Sequence, residues 1–463
     1  MTKPPLAPRH LLVAAACFLA ACGAPPPPNI IVIVGDTLRA DRLGSYGNPR
    51  GLTPFLDSIA ERAMVFRSAQ APSSWTNPSV ASLFTSRYPT QHGVITFESV
   101  LADDEITLAE ELRQAGYTTG FFSPNGVLRE DWGYGQGFTE FSEFAIPESP
   151  GQPNHLWIPY RADYTNRHVL SWLDSLAAAG GRRPPVFLYI QYMEPHSPYA
   201  PPQAALHRMI GERKPPDLAE VNLFAFMGNV VPIEDRVLRD LQDVYDAEVL
   251  SLDTELRRLF KALEARGLLE NAIVVVTSDH GEEFKEHGLI GHEKTLYGEV
   301  LHVPLLISLP GSVRRTDVTE VVSLVDLAPT LLGLIGRPAP ASFEGRSLLP
   351  LSTGAAPPGG RAAYSELPIP ETGAGKRLSP HVSSVVVGTH KLIAGQHGEM
   401  EYYDLAADPG EHNPNALSEA ERAALRETLA EIQQRAAGRA ARREIKPVDD
   451  ATREQIRALG YDR

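Results

Sequence analysis

An α/β fold, with a sheet covered by helices on both faces, is predicted by three observations. Apolar runs of the buried-strand type occur at Asn29–Val34, Val186–Ile190 and Ala272–Val276. Amphipathic helical stretches lie between them. A group of chemistry-bearing residues follows each run within a few positions: Gly35-Asp36-Thr37, Tyr192-Met193-Glu194-Pro195-His196 and Ser278-Asp279-His280. In sheets of this kind functional groups gather beyond the carboxyl ends of the strands.

The chain opens with Lys3 and Arg9 ahead of the apolar run Leu11–Ala20. That is a charged region followed by a hydrophobic segment too short to span a bilayer. It ends in Leu19-Ala20-Ala21-Cys22, the pattern of a bacterial lipobox, so 1–21 reads as a lipoprotein signal peptide with lipidation expected on Cys22. Gly23 rather than Asp follows the cysteine, and nothing argues for retention at the inner membrane. The expected location is the bacterial cell envelope, anchored to a membrane through Cys22 and facing the periplasm or in the outer membrane. Residues 22–28, ending in Pro25 to Pro28, form a stiff spacer. The only cysteines are Cys17 and Cys22, and the first is lost with the signal. No disulfide or thiolate metal cage can then form, so any metal here needs Asp, His, Thr or Asn.

The remaining length of about 440 residues suits a major and a minor lobe. A hydrophobic content of 43% is ordinary for a folded protein. The formal charge of −14 argues against nucleic acid as a partner, because phosphate contacts need clustered Lys and Arg. No internal repeat or heptad run is present.

Helix signals punctuate the chain. Thr53-Pro54 places a cap before a first-turn proline. Thr107-Leu108-Ala109-Glu110 is a capping box, and Gly116 ends that helix. Glu234 to Arg266 is a long amphipathic stretch with Val237, Leu241, Val244, Leu252, Leu256 and Leu263 near one stripe. Pro338 to Gly360 is rich in Pro and Gly and marks a junction, and 418–437 reads as a closing helix. The domains expected are a catalytic domain over 29–340, a small carboxy-terminal subdomain over 341–437 and a charged tail over 438–463. The segments Ala145–Tyr164 and Pro201–Val231 read as loops bordering the pocket, where substrate choice would lie.

Several motifs together resemble the sulfatase family of the alkaline phosphatase superfamily. They are Asp36 after the first strand, Thr76-Asn77-Pro78-Ser79-Val80, His196-Ser197-Pro198-Tyr199, Ser278-Asp279-His280-Gly281 and the loop from Glu286 to Lys294. Val322–Thr330, Gly345–Leu348 and Tyr402–Glu411 are similar to the rest of the family's sequence, so the resemblance runs over 29–432. It implies an alkaline phosphatase-like sandwich with a large mixed sheet flanked by helices, plus a small carboxy-terminal antiparallel sheet.

The departures from the family carry the chemistry. Sulfatases convert a Cys or Ser at the position of Thr76 to formylglycine, and a threonine cannot yield that aldehyde. A Thr followed by x-Pro resembles instead the nucleotide pyrophosphatase/phosphodiesterase group, which attacks phosphorus directly. Val80 stands where the sulfatase motif has Arg, Thr37 where it has a second Asp, and Asn125 near its missing Lys and His. By the resemblance, Asp36, Thr76, Asp279 and His280 would hold one divalent metal ion. Calcium prefers an all-oxygen shell, whereas the imidazole of His280 favours Mn, Zn or Fe, with Ca the rival. Metal coordination would activate the Thr76 hydroxyl, and Pro78 at the start of the next helix would turn backbone N–H groups toward an anion. His196 is the candidate general acid and Lys294 the candidate cation for the oxyanion, with His292 assisting. His92 reads as structural.

The activity implied is a metal-dependent hydrolase or transferase acting on phosphate or sulfate esters, with a threonine nucleophile that favours phosphodiester-type substrates. The ester would be a small molecule, a lipid headgroup or a glycan. Two other readings stay open: a sulfuric ester hydrolase working without formylglycine, and a non-catalytic anion-binding lipoprotein.

Overall fold

A computed structural model of the chain describes residues 26–143, 161–227, 232–354, 360–367, 382–437 and 444–448, apart from 179, 181–182 and 396, and also 229 and 453. The signal segment, Cys22 and most of Ala145–Tyr164 lie outside the described residues.

The strands in chain order are β1 (Asn29–Gly35), β2 (Met64–Gln70), β3 (Ser99–Val100), β4 (Thr118–Ser123), β5 (Glu140–Glu143) and β6 (Val186–Tyr192). They continue as β7 (Ala272–Ser278), β8 (Glu283–Phe284), β9 (Ile290–Gly291), β10 (His302–Val303), β11 (Leu305–Ser308) and β12 (Thr316–Ser323). The main sheet has the order β10-β2-β11-β7-β1-β6-β4-β5, and β12 also pairs with β2. The run from β7 to β5 is parallel. β11 is antiparallel to both β7 and β2, so two reversals bring β2 back into the direction of β1.

The central strands β6 and β7 are buried along their whole length, as their Val- and Ile-rich runs require in a sheet covered on both sides. Alternate residues of β1 feed two separate cores: Ile30, Val32 and Val34 pack on one face, Ile31 and Ile33 on the other. The second core is closed by the helix Asp235–Ala265, through Leu241, Val244, Leu252, Leu256 and Leu263. This is the mixed α/β sandwich expected.

Pro201–Val231 differs from the loop reading. It contains the helices Gln203–Ile210 and Leu218–Met227, both packed on Asp235–Ala265. Ala205, Leu206 and Ile210 bury against that helix, an apolar spacing hidden between prolines.

The minor sheet is antiparallel, in the order β13 (Ala362–Leu367), β14 (Val382–Val387), β15 (His390–Ala394) and β16 (Met400–Asp404). Helix Glu419–Ala437 covers it with Leu425, Leu429 and Ile432. Within the charged tail, β17 (Glu444–Ile445) pairs with β3, and Lys446 Nζ donates to Asp131 Oδ2 at 2.7 Å. Among the described residues no helix is long and apolar enough to cross a membrane.

Candidate active site

Register sets the site. Gly35 at the end of β1 lies opposite Tyr192 of β6 and Ser278 of β7. Asp36 and Asp279 are the next residues on their strands and therefore emerge side by side. Thr37 then takes a left-handed backbone (φ 60°), a costly conformation for a β-branched residue. Its N–H donates to Asp279 Oδ1 at 3.3 Å, and its carbonyl accepts from Tyr245 Oη at 2.7 Å. After His280, Gly281 has no room for a side chain, because a Cβ there would meet the Glu299 carbonyl at 2.0 Å.

Thr76 arrives from the other side. It is the first residue of the wholly buried helix Thr76–Thr85, with Trp75 in extended conformation before it. Thr76 Oγ1 lies 3.2 Å from His280 Nε2 and 3.5 Å from Asp36 Oδ1. His280 Nδ1 faces the Gly281 carbonyl at 2.9 Å and must donate to it, so Nε2 carries the free lone pair. Asp36, Asp279 and His280 each offer a ligand atom, and these atoms lie within 4.8 Å of one another.

The electrostatics fit a divalent ion. Asp36 and Asp279 are fully buried, and among the described residues neither forms an ion pair with Lys or Arg. Burial, reinforced by the Asp279 charge, holds the Asp36 carboxyl well above its usual range. Burial also lowers the His280 pKa, against the pull of Asp279, and favours the neutral imidazole that a metal needs. Thr37 Oγ1, buried beside the pair, has no hydrogen-bond partner among the described residues. Two buried carboxylates without a cation are costly, and one dication would supply the missing charge.

The other expected residues fall into two groups. The His292 ring centre stands 4.6 Å from His280 and 5.0 Å from His196, so three imidazoles form a cluster that meets Thr76 through His280. His196 Nδ1 is hydrogen-bonded to the Ser197 carbonyl, and burial, with His280 nearby, lowers its pKa to about 3. Lys294 Nζ donates to the carbonyls of Ile290 (3.0 Å) and His292 (3.2 Å), bracing its own loop. Val80 is buried in the core, where the sulfatase motif would have its Arg.

Three contributors carry no role in the sequence reading. Gln191 Nε2 donates to Asp36 Oδ2 at 3.0 Å and to Asp279 Oδ2 at 3.1 Å. Its signal was a lone amide in an otherwise apolar strand. Glu282 Oε1 lies 3.0 Å from His292 Nδ1 and was visible only as the residue after Asp279-His280-Gly281. Arg39 donates to the Glu282 carbonyl at 2.8 Å and to Glu286 at 2.7 Å, pinning that turn. Asn125, which stands near the family's missing Lys and His, donates to Asp36 Oδ2 at 2.7 Å.

A mixed sheet of this topology, with a cluster that could hold a metal ion beyond the ends of its parallel strands, has the alkaline phosphatase-like architecture. The family described as Sulfatase matches residues 28–337, well over half of the chain. The chain belongs to the sulfatase family, whose enzymes are metal-dependent. A second family description, N-sulphoglucosamine sulphohydrolase, C-terminal, matches residues 285–437.

Among relatives, the ulvan-active sulfatase of Formosa agariphila is 27% identical over 416 residues, covering 86% of this chain and 78% of its own. Human arylsulfatase A is 29% identical over 442 residues, covering 89% and 83%. The phosphonate monoester hydrolase of Agrobacterium radiobacter shares the fold at a TM-score of 0.70 and 23% identity, covering 89% of this chain and 96% of that one. A structure solved with its substrate D-glucosamine-2-N,6-O-disulfate shares it at 0.71 and 21% identity, covering 89% and 98%.

Proposed function

We propose that this chain is a metal-dependent hydrolase or transferase of phosphate or sulfate esters in which Thr76 is the nucleophile and phosphodiester-type substrates are preferred. The observation that carries the reading is the Thr76 hydroxyl, 3.2 Å from His280 Nε2 and 3.5 Å from Asp36 Oδ1. A divalent ion held by Asp36, Asp279 and His280 would act as a Lewis acid, lowering the pKa of that hydroxyl and offsetting charge on the transferring group. The nitrogen donor favours Mn, Zn or Fe over Ca. No formylglycine takes part, because threonine cannot be converted to it.

Thr76 Oγ attacks phosphorus in line, and the bond to the leaving oxygen breaks. Lys294 and backbone amides stabilise the developing oxyanion. For protonation of the leaving group, His292 is better equipped than His196. His292 is backed by the Glu282 carboxylate, whereas His196 is held neutral by burial with its Nδ1 proton engaged by the Ser197 carbonyl. Water then attacks the phosphorus of phospho-Thr76, breaking the Oγ–P bond to return the Thr76 hydroxyl and free a phosphate monoester, or an acceptor alcohol takes the group in the same way.

Relatives named for glycan sulfates support a glycan or small-molecule ester as substrate, and the phosphonate monoester hydrolase supports phosphorus chemistry on this fold. A lipid headgroup is the third source, consistent with anchoring through Cys22 in the cell envelope. The sulfatase relatives favour one second reading, a sulfuric ester hydrolase that dispenses with formylglycine.

A paired assay on a bis-aryl phosphodiester and an aryl sulfate, with bound metal quantified, tests the proposal. Phosphodiester turnover is expected, and exclusive sulfate turnover would replace it with the second reading.

A further inference from the structure

Gln191 is the one β6 side chain that reaches both buried carboxylates of the candidate metal cluster. Its amide is fully used. One N–H goes to Asp36 Oδ2 at 3.0 Å, the other to Asp279 Oδ2 at 3.1 Å, and Oε1 accepts from Tyr189 Oη at 2.6 Å. The last contact fixes which way the amide points. A phenol kept protonated by burial donates, so the oxygen faces Tyr189 and the nitrogen faces the carboxylates.

Tyr189 cannot easily turn away. Its ring is stacked on Phe121 (5.1 Å, 14°) and packed against Phe84 (4.8 Å). Tyr189 and Gln191 are two apart on one strand and share a face. All four residues, Tyr189, Gln191, Asp36 and Asp279, are fully buried.

Two like charges in a dry site repel. The Thr37 N–H braces Asp279 Oδ1 and the Asn125 amide braces Asp36 Oδ2, each holding one carboxylate, whereas the bidentate Gln191 amide bridges both. It leaves Asp36 Oδ1 facing Thr76 and His280, and it aligns Asp279 Oδ2 3.6 Å from His280 Nε2.

We propose that Gln191, oriented by Tyr189, is a positioning residue that locks Asp36 and Asp279 into one preformed divalent-ion site and thereby sets the affinity of that site. This rests on the metal reading above. It does not depend on the substrate or on Thr76.

The test is calorimetric titration of chelator-stripped full-length protein with Mn²⁺ alone and Zn²⁺ alone, with the ion-induced shift in melting temperature as a second readout. Gln191→Leu keeps the volume and removes the amide. Its ion affinity is expected to fall by about 10–100-fold, as for other groups that orient metal ligands. Tyr189→Phe keeps the amide and removes only its orienting hydroxyl, so a smaller loss is expected. Should Gln191→Leu not fold, Tyr189→Phe carries the test. Wild-type ion affinity in either folded variant overturns the proposal. A wild-type protein that takes up no ion overturns the metal reading itself, and this inference with it.

Discussion

His292 Nδ1 lies 3.0 Å from Glu282 Oε1, and its ring centre stands 4.6 Å from that of His280, the imidazole beside Thr76, and 5.0 Å from that of His196. A carboxylate behind an imidazole fixes its orientation and favours a proton on the far nitrogen when the ring is charged. His292→Ala is therefore expected to cost about 10²–10⁴-fold in turnover of a phosphodiester with a poor leaving group. With a nitrophenyl leaving group, which needs little protonation, the loss should be much smaller. Glu282→Gln should give a milder version of the same pattern. Equal losses on both substrates would remove His292 from proton transfer.

His280 provides the nitrogen that separates this donor set from an all-oxygen one. His280→Asn leaves two carboxylates and an amide oxygen, the kind of shell calcium prefers. The variant should lose affinity for Zn²⁺ and Mn²⁺ far more than for Ca²⁺, read by competition titration. In the wild type, saturating ion should raise the melting temperature. Binding at a hundredfold excess over Kd is worth about 2.7 kcal/mol.

The segment carrying His196 is held by two buried acids. Glu194 Oε1 accepts from the Ala162 N–H and Glu248 Oε1 from the Ala200 N–H, each at 2.6 Å. Burial raises Glu194 to about 7, and burial plus the charge of Glu194 raises Glu248 to about 8. Both folded values exceed the ordinary 4.5, so the folded state holds these protons more tightly than the unfolded chain. Their stabilising effect is full below about pH 4.5 and is lost as pH rises through 7 to 8. Glu248→Gln keeps the acceptor and removes the charge. Its melting temperature should exceed that of the wild type at pH 9 and match it near pH 5. A variant less stable than wild type at pH 9 would refute this.

Lys391 and Glu411, each 1% exposed, form a 2.5 Å ion pair that joins β15 to the loop after β16. Glu411 also receives the Gly298 N–H, and its carbonyl faces His287 Nε2 at 3.0 Å. The minor lobe thus grips the segment that follows Lys294. Lys391→Met leaves a buried carboxylate without its cation and should cost about 3–5 kcal/mol, measured by denaturant unfolding. A loss under about 1 kcal/mol, the range of exposed pairs, would show that the pair is solvated.

The fold was readable because β1, β6 and β7 are continuous apolar runs and because polar motifs follow each of them directly. Thr76, Asp279 and His280 stood out for the same reason, as chemistry-bearing residues at strand or helix ends. Gln191 was not readable as a contributor, since its meaning depends on a register that sets it between two other strands. Glu282 needed the fold of the 283–294 loop to meet His292. The helices within 201–231 were hidden by the proline pairs at 201–202 and 215–216, and they form because Asp235–Ala265 offers an apolar face to cover. The grip of the minor lobe through Glu411 joins segments more than a hundred residues apart, beyond the reach of any local pattern.

Thr76 carries the proposed covalent step. Rapid acid quenching of the wild-type enzyme during phosphodiester turnover, followed by peptide mass spectrometry, measures it directly. A phosphoryl adduct on Thr76, absent together with all turnover in Thr76→Ala, is the predicted result. Turnover that survives Thr76→Ala would contradict it.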